Sequence, residues 1–129
     1  MPRLGSIASI PFIQAGEIPT FALLSSIANP NNFGTELNDF FGISVANNGT
    51  NIITGSLESD ATFSQNGAAY LFNINGTFDS VVENPNPAGG GTDSADNFGR
   101  AVDISETYML VGSWSEDQPG DDEGGKAYL

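Results

Sequence analysis

Asp39-Phe40-Phe41-Gly42-Ile43-Ser44-Val45 returns 57 residues later as Asp96-Asn97-Phe98-Gly99-Arg100-Ala101-Val102. At the same offset Thr54-Gly55-Ser56 falls on Val111-Gly112-Ser113, Asp60 on Asp117, and Thr20-Phe21 on Thr77-Phe78. One inserted residue brings Gly67-Ala68-Ala69-Tyr70-Leu71 onto Gly125-Lys126-Ala127-Tyr128-Leu129, and Asn29-Pro30-Asn31 precedes Asn84-Pro85-Asn86 by 55. Such a period marks a chain built from stacked supersecondary units, each unable to bury its apolar face alone.

Each copy reads as a short antiparallel meander. Ile43-Ser44-Val45-Ala46 alternates apolar and small polar residues, and Asn51-Ile52-Ile53-Thr54 follows across Asn47-Asn48-Gly49-Thr50. Asn48-Gly49 predicts a type I′ hairpin turn, which requires positive φ at both central positions. A polar loop leads to a third strand, Ala68-Ala69-Tyr70-Leu71-Phe72, and Asn75-Gly76 turns it into a fourth, Phe78-Asp79-Ser80-Val81-Val82. In the second copy, Val102 to Ile104, Tyr108 to Val111 and Ala127 to Leu129 are the first three strands. No segment carries a sustained 3.6-residue apolar period with caps, so no helix is expected. Gly42 and Gly99 at strand entrances, and Gly55 and Gly112 closing second strands, are read as places where a side chain would obstruct close backbone approach.

Composition removes several chemistries. The 129 residues suit one domain or a piece of one. With no Cys and no His there is no disulfide frame, no thiolate or imidazole metal site, and no Ser-His-Asp triad. A net charge of −13, with three basic residues, repels phosphate backbones and argues against nucleic-acid partners. The stretch before Phe21 is interrupted by Pro11, Gln14, Gly16, Glu17 and Pro19, so it reads as neither a signal peptide nor a membrane span. Membrane insertion is not expected.

The ordered landmarks resemble the FG-GAP repeats of β-propellers, the blade type that also builds integrin α-subunit heads. Asp39-Phe40-Phe41-Gly42 and Asp96-Asn97-Phe98-Gly99 match its first element. Thr54-Gly55-Ser56 and Val111-Gly112-Ser113 stand where the family has Gly-Ala-Pro, and the Gly67 and Gly125 segments match its third strand. With Asn-Pro-Asn spacers the pattern is similar to repeats of phage tail-fibre-like and marine bacterial surface proteins. The resemblance implies an all-β chain of antiparallel four-stranded blades, here two blade-equivalents: a partial propeller or part of an assembly. Residues 1–19 are a segment of unclear role, 20–83 the first blade region with a preceding strand, and 84–129 a second, incomplete blade region. Counted from Phe21, strands run one, four and three. That sum suits either a fragment or chains in which the early strand of one copy completes the last blade of another.

The family's calcium loop does not carry over. Calcium needs six to eight oxygen ligands, while the corresponding intervals hold only Asn47-Asn48-Gly49-Thr50 and Ser105-Glu106-Thr107. The run Glu116-Asp117-Gln118-Pro119-Gly120-Asp121-Asp122-Glu123 is read as a solvated acidic loop. Its alternative is a calcium site, with Asp117, Asp121, Asp122 and Glu123 as metal candidates; no other cofactor is expected. Asp39 and Asp96 are the repeated acids that suggest a glycosidase pair, against a turn-bonding role. Trp114, where the first copy has Leu57, is either an inter-blade packing residue or a platform for a sugar ring.

These readings lead to a non-enzymatic structural or adhesive protein. The expected setting is a phage virion appendage that contacts other structural proteins, further copies of itself, or a host-surface glycan or protein. The alternative is part of a bacterial extracellular adhesion propeller, and a carboxylate-dependent glycoside hydrolase comes third.

Overall fold

The computed structural model describes residue 23 and residues 25–30, 39–57, 67–86, 96–116 and 124–129. Seven strands form: β1 (Ser44–Asn47), β2 (Asn51–Ser56), β3 (Ala68–Asn73), β4 (Phe78–Glu83), β5 (Phe98–Ile104), β6 (Met109–Ser113) and β7 (Lys126–Tyr128). They make two antiparallel meanders, β1-β2-β3-β4 and β5-β6-β7, and the described residues contain no helix. The expected trailing strand at Phe21 lies outside the described residues, and residues 25–30 run without forming a strand.

The first hairpin differs from expectation. Gly49 has φ +87, but Asn48 stays out of the positive region, so the turn is not type I′. The Asn48 side chain closes it instead: Oδ1 accepts the backbone N–H groups of Thr50 at 3.0 Å and Asn51 at 2.8 Å. An Asn side chain can mimic a turn carbonyl in this way. At the β3–β4 corner, Gly76 N–H donates to Asn73 O at 2.8 Å with Gly76 at φ +86, the three-residue loop with a left-handed glycine.

β5 begins earlier than alternation predicts, because Phe98 and Gly99 are held by the first sheet. Phe98 forms a parallel bridge with Gly67, and the β5–β6 register slips between Phe98 and Ala101. Here the two meanders touch through their backbones. A Cβ on Gly55 would overlap Gly99 O and lie 2.6 Å from Ser44 Oγ, and one on Gly99 would overlap Ala68 O. Close approach is therefore real at Gly55 and Gly99. It is not at their counterparts: a Cβ on Gly42 meets nothing within 4 Å, and one on Gly112 has Ala101 Cβ at 3.5 Å. The asymmetry follows from position, since Gly42 and Gly112 face away from the contact between the sheets.

Strand alternation divides the apolar residues into two layers. Between the sheets, Ile53 and Ala69 of the first pack on Phe98 and Val111 of the second, flanked by Ala46, Leu71, Val82, Val102, Ile104, Met109 and Tyr128. Burying Phe98 completely is worth about 1.5–3 kcal/mol. On the far face of the first sheet, Ala68, Tyr70 and Phe72 gather Ile27, Phe41 and Ile52. The recurrence is spatial as well as sequential: Phe41–Tyr70 and Phe98–Tyr128 both hold ring centroids 5.7 Å apart.

Candidate functional site

The repeated Asp sits at the corner where each meander starts. The backbone carbonyl of Asp39 accepts Ser56 Oγ at 2.6 Å and Leu57 N–H at 3.1 Å, and that of Asp96 accepts Ser113 Oγ at 2.7 Å. This explains why Ser follows Gly at the end of both second strands: its hydroxyl ties β2 or β6 to the chain entering the blade. The carboxylates are engaged too. Asn29 Nδ2 donates to Asp39 Oδ2 at 2.8 Å, and Asn84 Nδ2 to Asp96 Oδ2 at 2.9 Å. Asp39 is 8% exposed and Asp96 1%. Both are corner fasteners, closed to a substrate arriving from solvent, and the geometry favours structural bonding over a glycosidase pair. In sequence, Asn-Pro-Asn reads only as a spacer. Its first Asn, present ahead of the Asp in both copies, is the signal that points to the fastener.

Between Asp and Phe-Gly, Phe40 and Asn97 both adopt left-handed backbone, at φ 48 and 53. Asn tolerates that region, whereas a bulky side chain does so at a cost. The Asn97 side chain also donates to Ser115 Oγ at 2.7 Å.

The second blade carries a charged cluster at the stem of its acidic loop. Glu116 is fully buried, and its Oε1 accepts Lys126 Nζ at 2.7 Å, Asn86 Nδ2 at 2.9 Å and the Tyr128 hydroxyl. Among the described residues Oε2 has no hydrogen-bond partner. Burial alone would raise the Glu116 pKa. The bonds from Lys126, Tyr128 and Asn86 outweigh it and hold the carboxyl below its ordinary 4.5. Burial and the neighbouring Glu116 charge push the Tyr128 hydroxyl in the opposite direction, above its ordinary value. This cluster is invisible in the sequence, because Asn86, Glu116, Lys126 and Tyr128 converge only when β7 folds beside β6. Its role is to pin the loop stem, helped by Gly125 N–H donating to Glu116 O at 2.9 Å.

Asp117, Asp121, Asp122 and Glu123, the metal candidates, lie outside the described residues. Among the described residues no three acidic side chains gather in a way that could hold a metal ion. Trp114 is placed at the same stem, 63% exposed, whereas its counterpart Leu57 is 6% exposed. The described portion thus offers an exposed indole three residues before the acidic run that begins at Asp117, on a scaffold whose repeated polar residues are committed to its own corners.

Two meanders fastened by the same Asp–Ser and Asp–Asn bonds, laid face against face, define blades of a propeller-type repeat protein. The sequence profile of the FG-GAP repeat matches residues 34–72 and 90–129, and the chain belongs to that family. Repeats of this family form β-propellers that serve as non-enzymatic structural or adhesive domains. A comparison with curated proteins finds no match.

Proposed function

We propose that this chain is an adhesive scaffold of a virion appendage, presenting Trp114 and the adjoining loop to a glycan on a host surface. The observation that carries the reading is Trp114 itself, exposed on a stem pinned by Glu116, Lys126 and Tyr128 where the first blade has a buried Leu57. An indole held on a fixed stem presents a flat apolar face at low entropic cost, which suits stacking on a sugar ring. The acidic surface favours neutral or basic ligands over phosphate-rich ones. Lack of Cys and a composition rich in Asn, Gly, Ser and Thr are in keeping with the virion setting.

Trp114 is the single tryptophan of the chain, so its emission reports directly on the site. A glycan array identifies candidates, and titration of a hit should shift Trp114 emission. Trp114→Ala should weaken binding about tenfold, the equivalent of about 1.4 kcal/mol of aromatic contact. Array binding that survives Trp114→Ala unchanged overturns the site, and absence of the chain from purified particles by mass spectrometry overturns the setting.

A further inference from the structure

Lys126 is the single lysine of the chain, and its Nζ donates to Glu116 Oε1 at 2.7 Å. Asn86 Nδ2 donates to the same oxygen at 2.9 Å. A primary amine and a primary amide thus share one acceptor, on a carboxylate that is fully buried. The Tyr128 hydroxyl donates to that oxygen as well and holds it in place. The backbone around the group is tied down. Asn86 N–H donates to Asn84 Oδ1 at 2.9 Å, and Gly125 N–H donates to Glu116 O at 2.9 Å. The first blade has Ala68 where the second has Lys126, so the pairing is confined to the second blade.

These residue types meet the needs of one reaction, exchange of an amide between two nitrogens. In water it is slow because the amine is protonated, the reactants must find each other, and the departing nitrogen needs a proton. A carboxylate hydrogen-bonded to both nitrogens serves both proton transfers. Folding removes the search by holding amine and amide at one oxygen. The step to an attack distance of about 3–3.5 Å falls to the flexible lysine stem, whose side chain is 30% exposed and has room to turn. Burial of Glu116 opposes the charged pair and so lowers the cost of passing the proton that frees the amine.

We propose that the folded chain joins Lys126 to Asn86 through an isopeptide bond. Before the bond forms, Lys126 and Glu116 are the ion pair described above. Glu116 Oε1 takes a proton from the ammonium, and the freed Nζ electron pair attacks Asn86 Cγ to form the new C–N bond. As the tetrahedral intermediate collapses, the bond from Cγ to Nδ2 breaks. Nζ gives up two protons in all. Through Glu116 Oε1 both reach Nδ2, which departs as ammonium and leaves Glu116 a carboxylate again. Nothing is oxidised or reduced. The product is a covalent loop from residue 86 to residue 126 that contains β5, β6, Trp114 and the acidic run. A link across a loop of that length restricts the unfolded chain and fastens β7 in its place beside β6.

Trypsin reads the bond directly. It cuts this chain after Arg3, Arg100 and Lys126, which places Asn86 and Lys126 on different peptides. The 129-residue chain, incubated folded and then unfolded in urea and digested, should yield residues 4–100 and 101–129 as one linked species. The cut after Lys126 should be suppressed, and the intact mass should be lower than that of the sequence by one ammonia. Lys126→Arg keeps the charge but has no ε-amine, and should show its full sequence mass. Glu116→Gln, with folding checked by far-UV circular dichroism, should slow bond formation about a hundredfold or more, as loss of a proton-transfer group does. A parent at full sequence mass with separate peptides overturns the proposal, and so does loss of water in place of ammonia, which would join the lysine to a carboxylate. A folded Glu116→Gln that links at the parent's rate overturns the mechanism. Should that variant fail to fold, the peptide map of the parent against Lys126→Arg decides.

Discussion

Gly55 and Gly112 occupy the same place in successive blades, and replacing each with alanine should have opposite consequences. At Gly55 the added methyl overlaps Gly99 O and sits 2.6 Å from Ser44 Oγ. The obstruction is backbone, so the sheets themselves must separate. Overpacking of this kind costs about 1–3 kcal/mol. Separation also strains the bond from Ser44 Oγ to Gly99 O, 2.7 Å long, worth about 0.5–1.5 kcal/mol. A total of about 1.5–4.5 kcal/mol is a large part of the about 5–15 kcal/mol that holds a domain together. At Gly112 the nearest neighbour lies at 3.5 Å, and removing a strand glycine should be neutral or stabilising by up to about 1 kcal/mol. Urea unfolding followed by far-UV circular dichroism measures both. Gly55→Ala should lower the midpoint clearly while Gly112→Ala holds or raises it. Equal effects at the two glycines would refute the placement of β5 against β2 and β3.

Phe40→Asn should stabilise the chain by about 1 kcal/mol, because Phe40 is held at φ 48 with its ring 51% exposed, and Asn tolerates the left-handed region far better; thermal unfolding checks it. Glu116 gives an acid-side signature. Its folded pKa is depressed, so its contribution is complete above the ordinary value of 4.5 and is lost as pH falls through the folded value. Glu116→Gln should therefore cost about 1.5–3 kcal/mol near neutrality, nearer the lower figure because Lys126 remains partly exposed. The variant should lose less further stability than the parent between about pH 6 and about pH 3; parallel acid curves for the two would contradict the buried ion pair.

The strands are legible in the sequence because two signals coincide along them. Alternation places Ile53 and Ile52 on opposite faces of β2, and repetition shows that the pattern is architectural rather than local. What alternation cannot register is a bond between a side chain and a distant backbone atom. The start of β5 escapes it because Phe98 is fixed by Gly67 of the other blade, and the first turn because Asn48 replaces a carbonyl with its own amide oxygen. The fasteners at Asp39 and Asp96 are half visible: the repetition of Asp is plain, but its partner Asn stands 10 or 12 residues earlier. Glu116 is legible only as one acid in a run of acids. Its pairing with Lys126 depends on β7 lying beside β6, a relation that the repeat predicts but residue chemistry does not reveal.

Comparison of the two blades separates scaffold from function on physical grounds. Where the copies agree, the shared residues do mechanical work. Asp and Ser fasten a corner, the Phe and Tyr rings meet at an angle, and Gly67 and Gly125 each admit a carbonyl where a Cβ would clash. A position that must play the same mechanical part in every blade cannot also be adapted to one ligand. Where the copies differ, that constraint is lifted. Leu57 becomes Trp114, Ala68 becomes Lys126, and the loop stem of the second blade gains a buried carboxylate to anchor the change. Lys126 and Glu116 together show that the exposed indole stands on a stem with its own polar support, rather than on loose coil. Replacing Trp114 with Leu, the residue of the first blade, should leave the melting temperature unchanged while removing ligand binding; a large stability loss instead would identify the indole as packing.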